Sequence, residues 1–219
     1  MGYDITFHPV SRDDLAHFVF DVAKDPSLAP IRANELCVKP EDKEFVVGMY
    51  RQFPEWLSES KRSGFEFGPT FGQICASVAG YRHPYWYSRG SAISFLVKHV
   101  EDIGDIFSPL ASFAMPPHLI AGNYSASGFI EHRDLMALHK VLDALGKEND
   151  ARGVGLLSDI FDEKNLESLF AAWDYAHDNK LGLMEASDLV VPLTQQFSTF
   201  PDNLRAHYLK NVAEVRLVR

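Results

Sequence analysis

The chain has 219 residues and a formal net charge of −9, with a sequence pI near 5.4. At 46% hydrophobic and 23% charged it has enough apolar material for a large core, which excludes a disordered chain. The acidic balance argues against nucleic-acid and anionic-membrane partners, and suits a basic protein partner.

Tyr3 to His8 alternates apolar with polar, so a strand is expected there, stopped by Pro9. Ser11 and Asp14 have the spacing of a capping box opening a helix over 13–24, with Leu15, Phe18, Val19 and Val22 on its apolar face. A short helix follows Pro30 over 31–37. The stretch 41–61 reads as an amphipathic helix carrying Phe45, Met49, Phe53, Trp56 and Leu57, with a break or kink at Pro54. Another helix is expected over 70–79 (Phe71, Ile74, Cys75, Val78), ended by Gly80. A helix over 91–99 comes next, then an apolar stripe of Ile103, Ile106, Phe107 and Leu110.

Met115-Pro116-Pro117 and the small-residue run Gly122 to Gly128 read as a long connection between helical layers. Beyond it, 131–146 carries Leu135, Leu138, Leu142 and Leu145, and 164–180 carries Leu166, Leu169, Phe170, Trp173 and Ala176. Gly182 reads as a helix C-cap, with a further helix over 185–191 ended by Pro192. A helix over 203–212 and a helix tail or last strand over 213–218 complete the chain. The expected fold is a single mainly α domain over 1–219, with minor strand content at the termini, α+β being the alternative.

Cys37 and Cys75 lie among apolar neighbours and read as small buried hydrophobes rather than a disulfide framework. No basic region followed by an apolar run opens the chain, and no apolar stretch approaches a membrane span, so a cytoplasmic protein is expected.

The densest feature is Tyr81-Arg82-His83-Pro84-Tyr85-Trp86-Tyr87-Ser88-Arg89, between Gly80 and Gly90. Aromatic rings beside Arg and His suit a partner-binding surface, but a core junction between two helices is the reading favoured by how commonly such residues fill cores. The candidate partner-binding residues are Tyr81, His83, Tyr85, Trp86, Tyr87 and Arg89, with Asn123 and Tyr124.

His132-Arg133-Asp134-Leu135 spells the start of a kinase catalytic loop, but His139 stands where the magnesium-binding Asn is required. His177 to Asp188 overlays a calcium loop poorly, since His177 and Leu181 cannot supply carboxylate oxygens. Nine histidines without a His-x-x-x-His or Cys-x-x-Cys pair give no metal site, and His139 suits a core edge. No phosphate-binding glycine loop occurs, so no cofactor is expected. Ser125 and Ser127 with His132 or His118 and Asp134 outline a hydrolase alternative around Asn123–His132, although Gly122 and Gly128 stand too far from Ser125 for a nucleophile elbow.

Three segments carry a resemblance: Met1 to Pro9, Asn123 to Phe129, and Lys180 to Ala186. They are similar to segments of small immunity proteins from bacterial polymorphic-toxin and type VI secretion systems. The resemblance implies a cytoplasmic inhibitor, not an enzyme, that occludes a cognate toxin; the acidic charge of the chain suits a basic toxin, for example a nuclease. It assigns no residue roles. The hydrolase and a structural or regulatory homodimer are the competing expectations.

Overall fold

A computed structural model describes residues 4–37, 39–52, 69–107, 125–147 and 155–187. Its centre is a four-stranded antiparallel sheet in the order β2-β1-β4-β3, with β1 Asp4–Val10, β2 Trp86–Arg89, β3 Ser125–Ile130 and β4 Gly182–Ser187. Helices cover both faces. This is an α+β fold, and only β1 lies near an end of the chain, which corrects the expectation of strands confined to the termini.

The alternation seen in β1 sorts its side chains to opposite faces. Val10 joins Phe129, Met184 and Ala186 in one core, whereas Ile5 and Phe7 join Ile130 and Leu183 in the other. Pro9 does not stop the strand. Pairing with β2 ends at Phe7↔Trp86, so Pro9 lies beyond β2 while still registering with Leu183 of β4.

The first helical layer holds α1, formed by Arg12–Leu15, a π-helical turn Ala16–Phe20 and Asp21–Lys24, then α2 Ala29–Leu36, α3 Pro40–Tyr50 and α4 Pro69–Arg82. The expected cap is present: Asp14 N–H donates to Ser11 Oγ at 2.9 Å, and the Ser11 hydroxyl donates to Asp14 Oδ2 at 2.8 Å. Helix α4 runs through Gly80, so that glycine does not terminate it. In α3, Phe45 and Met49 are buried as expected, while Phe53, Trp56 and Leu57 lie outside the described residues. Cys37 and Cys75 are buried, and burial pushes the Cys37 thiol up to about 12 and the Cys75 thiol well up, so both are inert.

The second layer holds α5 Ile93–Leu96, α6 Glu101–Ile106, α7 Leu135–Lys147, α8 Leu156–Ile160 and α9 Glu163–Asp178. Leu135, Leu138, Leu142 and Leu145 form the buried stripe of α7 that their spacing predicts. Leu110 and everything from Asp188 onward, with the helix expected over 203–212 and the helix tail or last strand expected over 213–218, lie outside the described residues.

The largest departure is at 182–187. Gly182 is not a helix cap, and 185–191 does not begin a helix there: Gly182–Ser187 is the central strand β4, buried at every position. A short run buried on both sides lacks the alternation that marks a half-exposed strand, so periodicity does not separate it from a helix. The cap of α9 falls earlier. Leu181 N–H donates to the Ala176 carbonyl at 2.8 Å and Lys180 N–H to the His177 carbonyl at 3.2 Å, which is a Schellman motif with Lys180 at φ 58°. A left-handed conformation costs a side-chain-bearing residue about 1 kcal/mol. Lys180 is exposed, so Lys180→Gly is expected to stabilise the fold by about 1 kcal/mol in urea denaturation. An unchanged or lower midpoint would remove this account of the turn.

Candidate functional site

The aromatic segment divides between the last turn of α4 and the edge strand β2, and its residues have different fates. Tyr81 is half-buried against Phe45, and its hydroxyl donates to Asp42 Oδ1 at 3.3 Å. Tyr85 is 1% exposed and stacks on His8 at 4.8 Å, so it lies in the core and is removed from the set of surface residues. Trp86 is half-buried against Tyr175, with ring centroids 5.5 Å apart. Tyr87 is half-buried and its hydroxyl donates to Asp4 Oδ1 at 2.6 Å; burial first, then this bond, raises its pKa. Arg89 is exposed, with Nη1 3.8 Å from Asp4 Oδ1. Asn123 and Tyr124 lie outside the described residues.

Arg89 is also held through its backbone. Asn165 Nδ2–H donates to the Arg89 carbonyl, and Asn165 Oδ1 accepts from Arg89 N–H, both at 3.0 Å. Asn165 thereby occupies the outer edge of β2, as a neighbouring strand would. Ser88 is buried and donates to the Ser91 carbonyl at 2.9 Å. Two of the candidate residues, Tyr87 and Arg89, meet at Asp4, and the second half of the segment, Trp86–Arg89, is an edge strand held by Asp4 on one side and Asn165 on the other.

At the C-terminal end of β1 a polar junction links the layers. Arg82 Nε lies 3.1 Å from Asp14 Oδ1, His83 Nε2 lies 4.0 Å from Asp14 Oδ2, and His83 Nδ1 lies 3.4 Å from the Tyr175 hydroxyl. Burial lowers the His83 pKa, Asp14 opposes that shift, and Arg82 adds to it. Beside this junction, Arg12 Nη2 pairs with Glu131 Oε1 at 2.7 Å. The arrangement joins α1 and α4 to α9 around the sheet, and its geometry is that of a clasp.

A second constellation was not visible in the sequence as a unit. On α9, Trp173 N–H donates to the Leu135 carbonyl at 2.8 Å, and the same indole stacks on His177 at 5.0 Å and meets His139 at 4.9 Å. His132 lies 5.9 Å from His177. His139 thus sits at a core edge, as expected. The signal was present in part, because Trp173 and His177 are one helical turn apart, but their partners on α7 are more than thirty positions away.

Two shallow grooves among the described residues lie elsewhere. One of about 410 Å³ between α2 and α3 is lined by Pro30, Ala33, Lys43, Val47 and Arg51. The other, of about 550 Å³, opens between α6 and α7 beside Glu101, Asp102, Lys140 and Leu145.

The residues of the hydrolase alternative are spread along β3. Ser125 begins that strand and His132 follows its far end, so a rise of about 3.3 Å per residue puts roughly 16 Å between Ser125 and Ile130. The run expected as a turn at 122–128 is strand from Ser125 onward; His118 lies outside the described residues. His132-Arg133-Asp134 forms a 3₁₀ turn leading into α7. Among the described residues no group of three His, Cys, Asp or Glu side chains could hold a metal ion, and no helix is long and apolar enough to cross a membrane.

Exposed charge differs between the layers. In the first, exposed Asp13, Asp25, Glu35, Glu41 and Glu44 are matched by exposed Arg12, Lys24, Lys39, Arg51 and Arg82. In the second, Glu101, Asp102 and Asp105 on α6, Asp159 on α8, Asp162 before α9, and Glu163, Glu167, Asp174 and Asp178 on α9 are all exposed. Asp143 on α7 is exposed too, and the exposed cations of this layer are Lys98, Arg133, Lys140, Lys147, Lys164 and Lys180, so acid predominates on this face. Compared with known proteins, the chain matches no family model, no curated sequence and no solved structure.

Proposed function

We propose that this protein is an immunity-type inhibitor that binds a basic toxin and occludes it, a nuclease being the class whose phosphate-binding groove carries the complementary charge. The observation supporting this reading is the predominance of exposed carboxylates on α6, α8 and α9. Complementary charge accelerates encounter and selects against acidic partners. The aromatic segment has a smaller part than its composition suggests, because Tyr85 is in the core and Trp86 and Tyr87 are half-buried.

The test is association with the product of the adjacent gene, measured by stopped flow at increasing salt. A one-to-one complex is expected, with an association rate that falls steeply with ionic strength. Reversing Glu101, Asp102 and Asp105 to lysine should slow association by about tenfold at low salt. No complex with the wild-type chain would refute the reading.

A further inference from the structure

We infer that the seam between α7 and α9 anchors this contact by taking an arginine-bearing segment of the basic partner, an inference that rests on the function proposed above. The seam is built from side chains held in fixed positions. The Trp173 hydrogen bond to Leu135 locks the indole at 9% exposure, and the rings of His177 and His139 lie against it. His139 is also braced by Phe170 at 5.7 Å. Met136, one turn before His139 on α7 and so on the same side of that helix, is 45% exposed, and the His177 side chain is 41% exposed. A thioether and pre-set rings give contact area at little cost in side-chain freedom, which is the property of interface anchors.

Charge selects the occupant. Asp178 Oδ1 stands 3.5 Å from His177 Nδ1, and Asp174 is exposed one residue beyond Trp173 on the same helix. On the α7 side Asp143 is close enough to His139 to interact with it electrostatically, but Lys147 Nζ holds that carboxylate at 2.6 Å. The cation-accepting side of the seam is therefore α9. A planar guanidinium stacks on such rings while bonding to a carboxylate, whereas a lysine ammonium supplies only a point charge.

The experiment uses two probes on the full chain. The first is an acetylated, amidated arginine–alanine octapeptide, followed through the indole N–H signals in NMR. The Trp173 signal should move on titration, move less with the lysine–alanine peptide, and stay still in the Asp174→Asn/Asp178→Asn double variant. A wild-type Trp173 signal that stays still, or that moves equally with both peptides, would overturn the seam. The second probe is the product of the adjacent gene. Met136→Ala and the double variant should each weaken its binding by at least about tenfold while leaving the thermal midpoint unchanged. Equal binding by wild type and variants overturns the seam but leaves the proposed function standing; no binding by wild type overturns both. A wild-type dimer in sedimentation that Met136→Asp dissociates would assign the seam to a second copy of the chain, and would also overturn the inference.

Discussion

Gly182→Ala is expected to destabilise the protein by about 3 kcal/mol, the upper end of what overpacking a tight core costs. Gly182 opens β4 opposite Val10, in the interior of the sheet. A Cβ there would overlap the Phe129 ring and stand 2.6 Å from the Ile130 carbonyl oxygen. Phe129 is fully buried, so its ring has no solvent to move into, and the carbonyl belongs to the neighbouring strand. Gly48→Ala is the matched control: it lies inside α3, where a Cβ would meet nothing within 4 Å. There the gain in helix propensity should stabilise the fold by about 0.5–1 kcal/mol. Urea denaturation of both variants reads the contrast directly. Equal effects at the two positions would show that the strand pairing around Gly182 is wrong.

The second large effect is a loss of stability in acid that traces to one imidazole. His8 is fully buried, stacked on Tyr85, and hydrogen-bonded through Nε2 to Thr6 Oγ1 at 2.9 Å. Burial lowers its pKa from 6.5 to about 3. Above pH 6.5 the ring is neutral in the folded and unfolded chains alike, and no stability depends on it. As pH falls below 6.5 only the unfolded chain takes up the proton, so folding stability declines until the folded pKa near 3 is reached. At about 1.36 kcal/mol per pH unit, the loss is about 2 kcal/mol between pH 7 and pH 5, and about 4–5 kcal/mol by pH 3. His83, lowered mainly by its own burial, adds a contribution of the same sign. His8→Phe keeps a ring against Tyr85 and removes the titration. Its stability should therefore fall by about 2 kcal/mol less than that of wild type between pH 7 and pH 5. Parallel pH profiles for the two proteins would rule out His8 as the source.

Much of the helical content was legible because it is written locally. Ser11 and Asp14 specify a cap within one turn, and Leu135, Leu138, Leu142 and Leu145 specify a face, without reference to distant residues. The sheet was less legible, and β4 least of all. Leu183, Met184 and Ala186 are apolar on both sides, and Glu185 is buried among them because its Oε2 accepts from the backbone N–H groups of Ile93 and Ser94 at 2.5 and 3.3 Å. No local pattern announces a carboxylate oxygen that takes its donors from ninety positions away. The segment Tyr81–Arg89 was conspicuous by composition, yet the role of each residue is set by His8, Asp4, Asn165 and Tyr175, which the chain supplies from elsewhere. The acidic groups were visible one by one; their collection onto one side of the sheet follows only from topology.

Asn165 has a consequence for the behaviour of many copies of this chain together. An open strand edge is a template on which a second molecule can continue the same sheet, and repeated addition leads to fibres. Here a single carboxamide already holds both backbone groups of Arg89, and Ser91 Oγ accepts its other N–H at 3.1 Å. A newcomer arriving along β2 would first have to break that two-sided bond and leave a buried amide unsatisfied. The protein thus carries its own terminator for lateral growth on that side, fixed in place by the helix that covers the sheet.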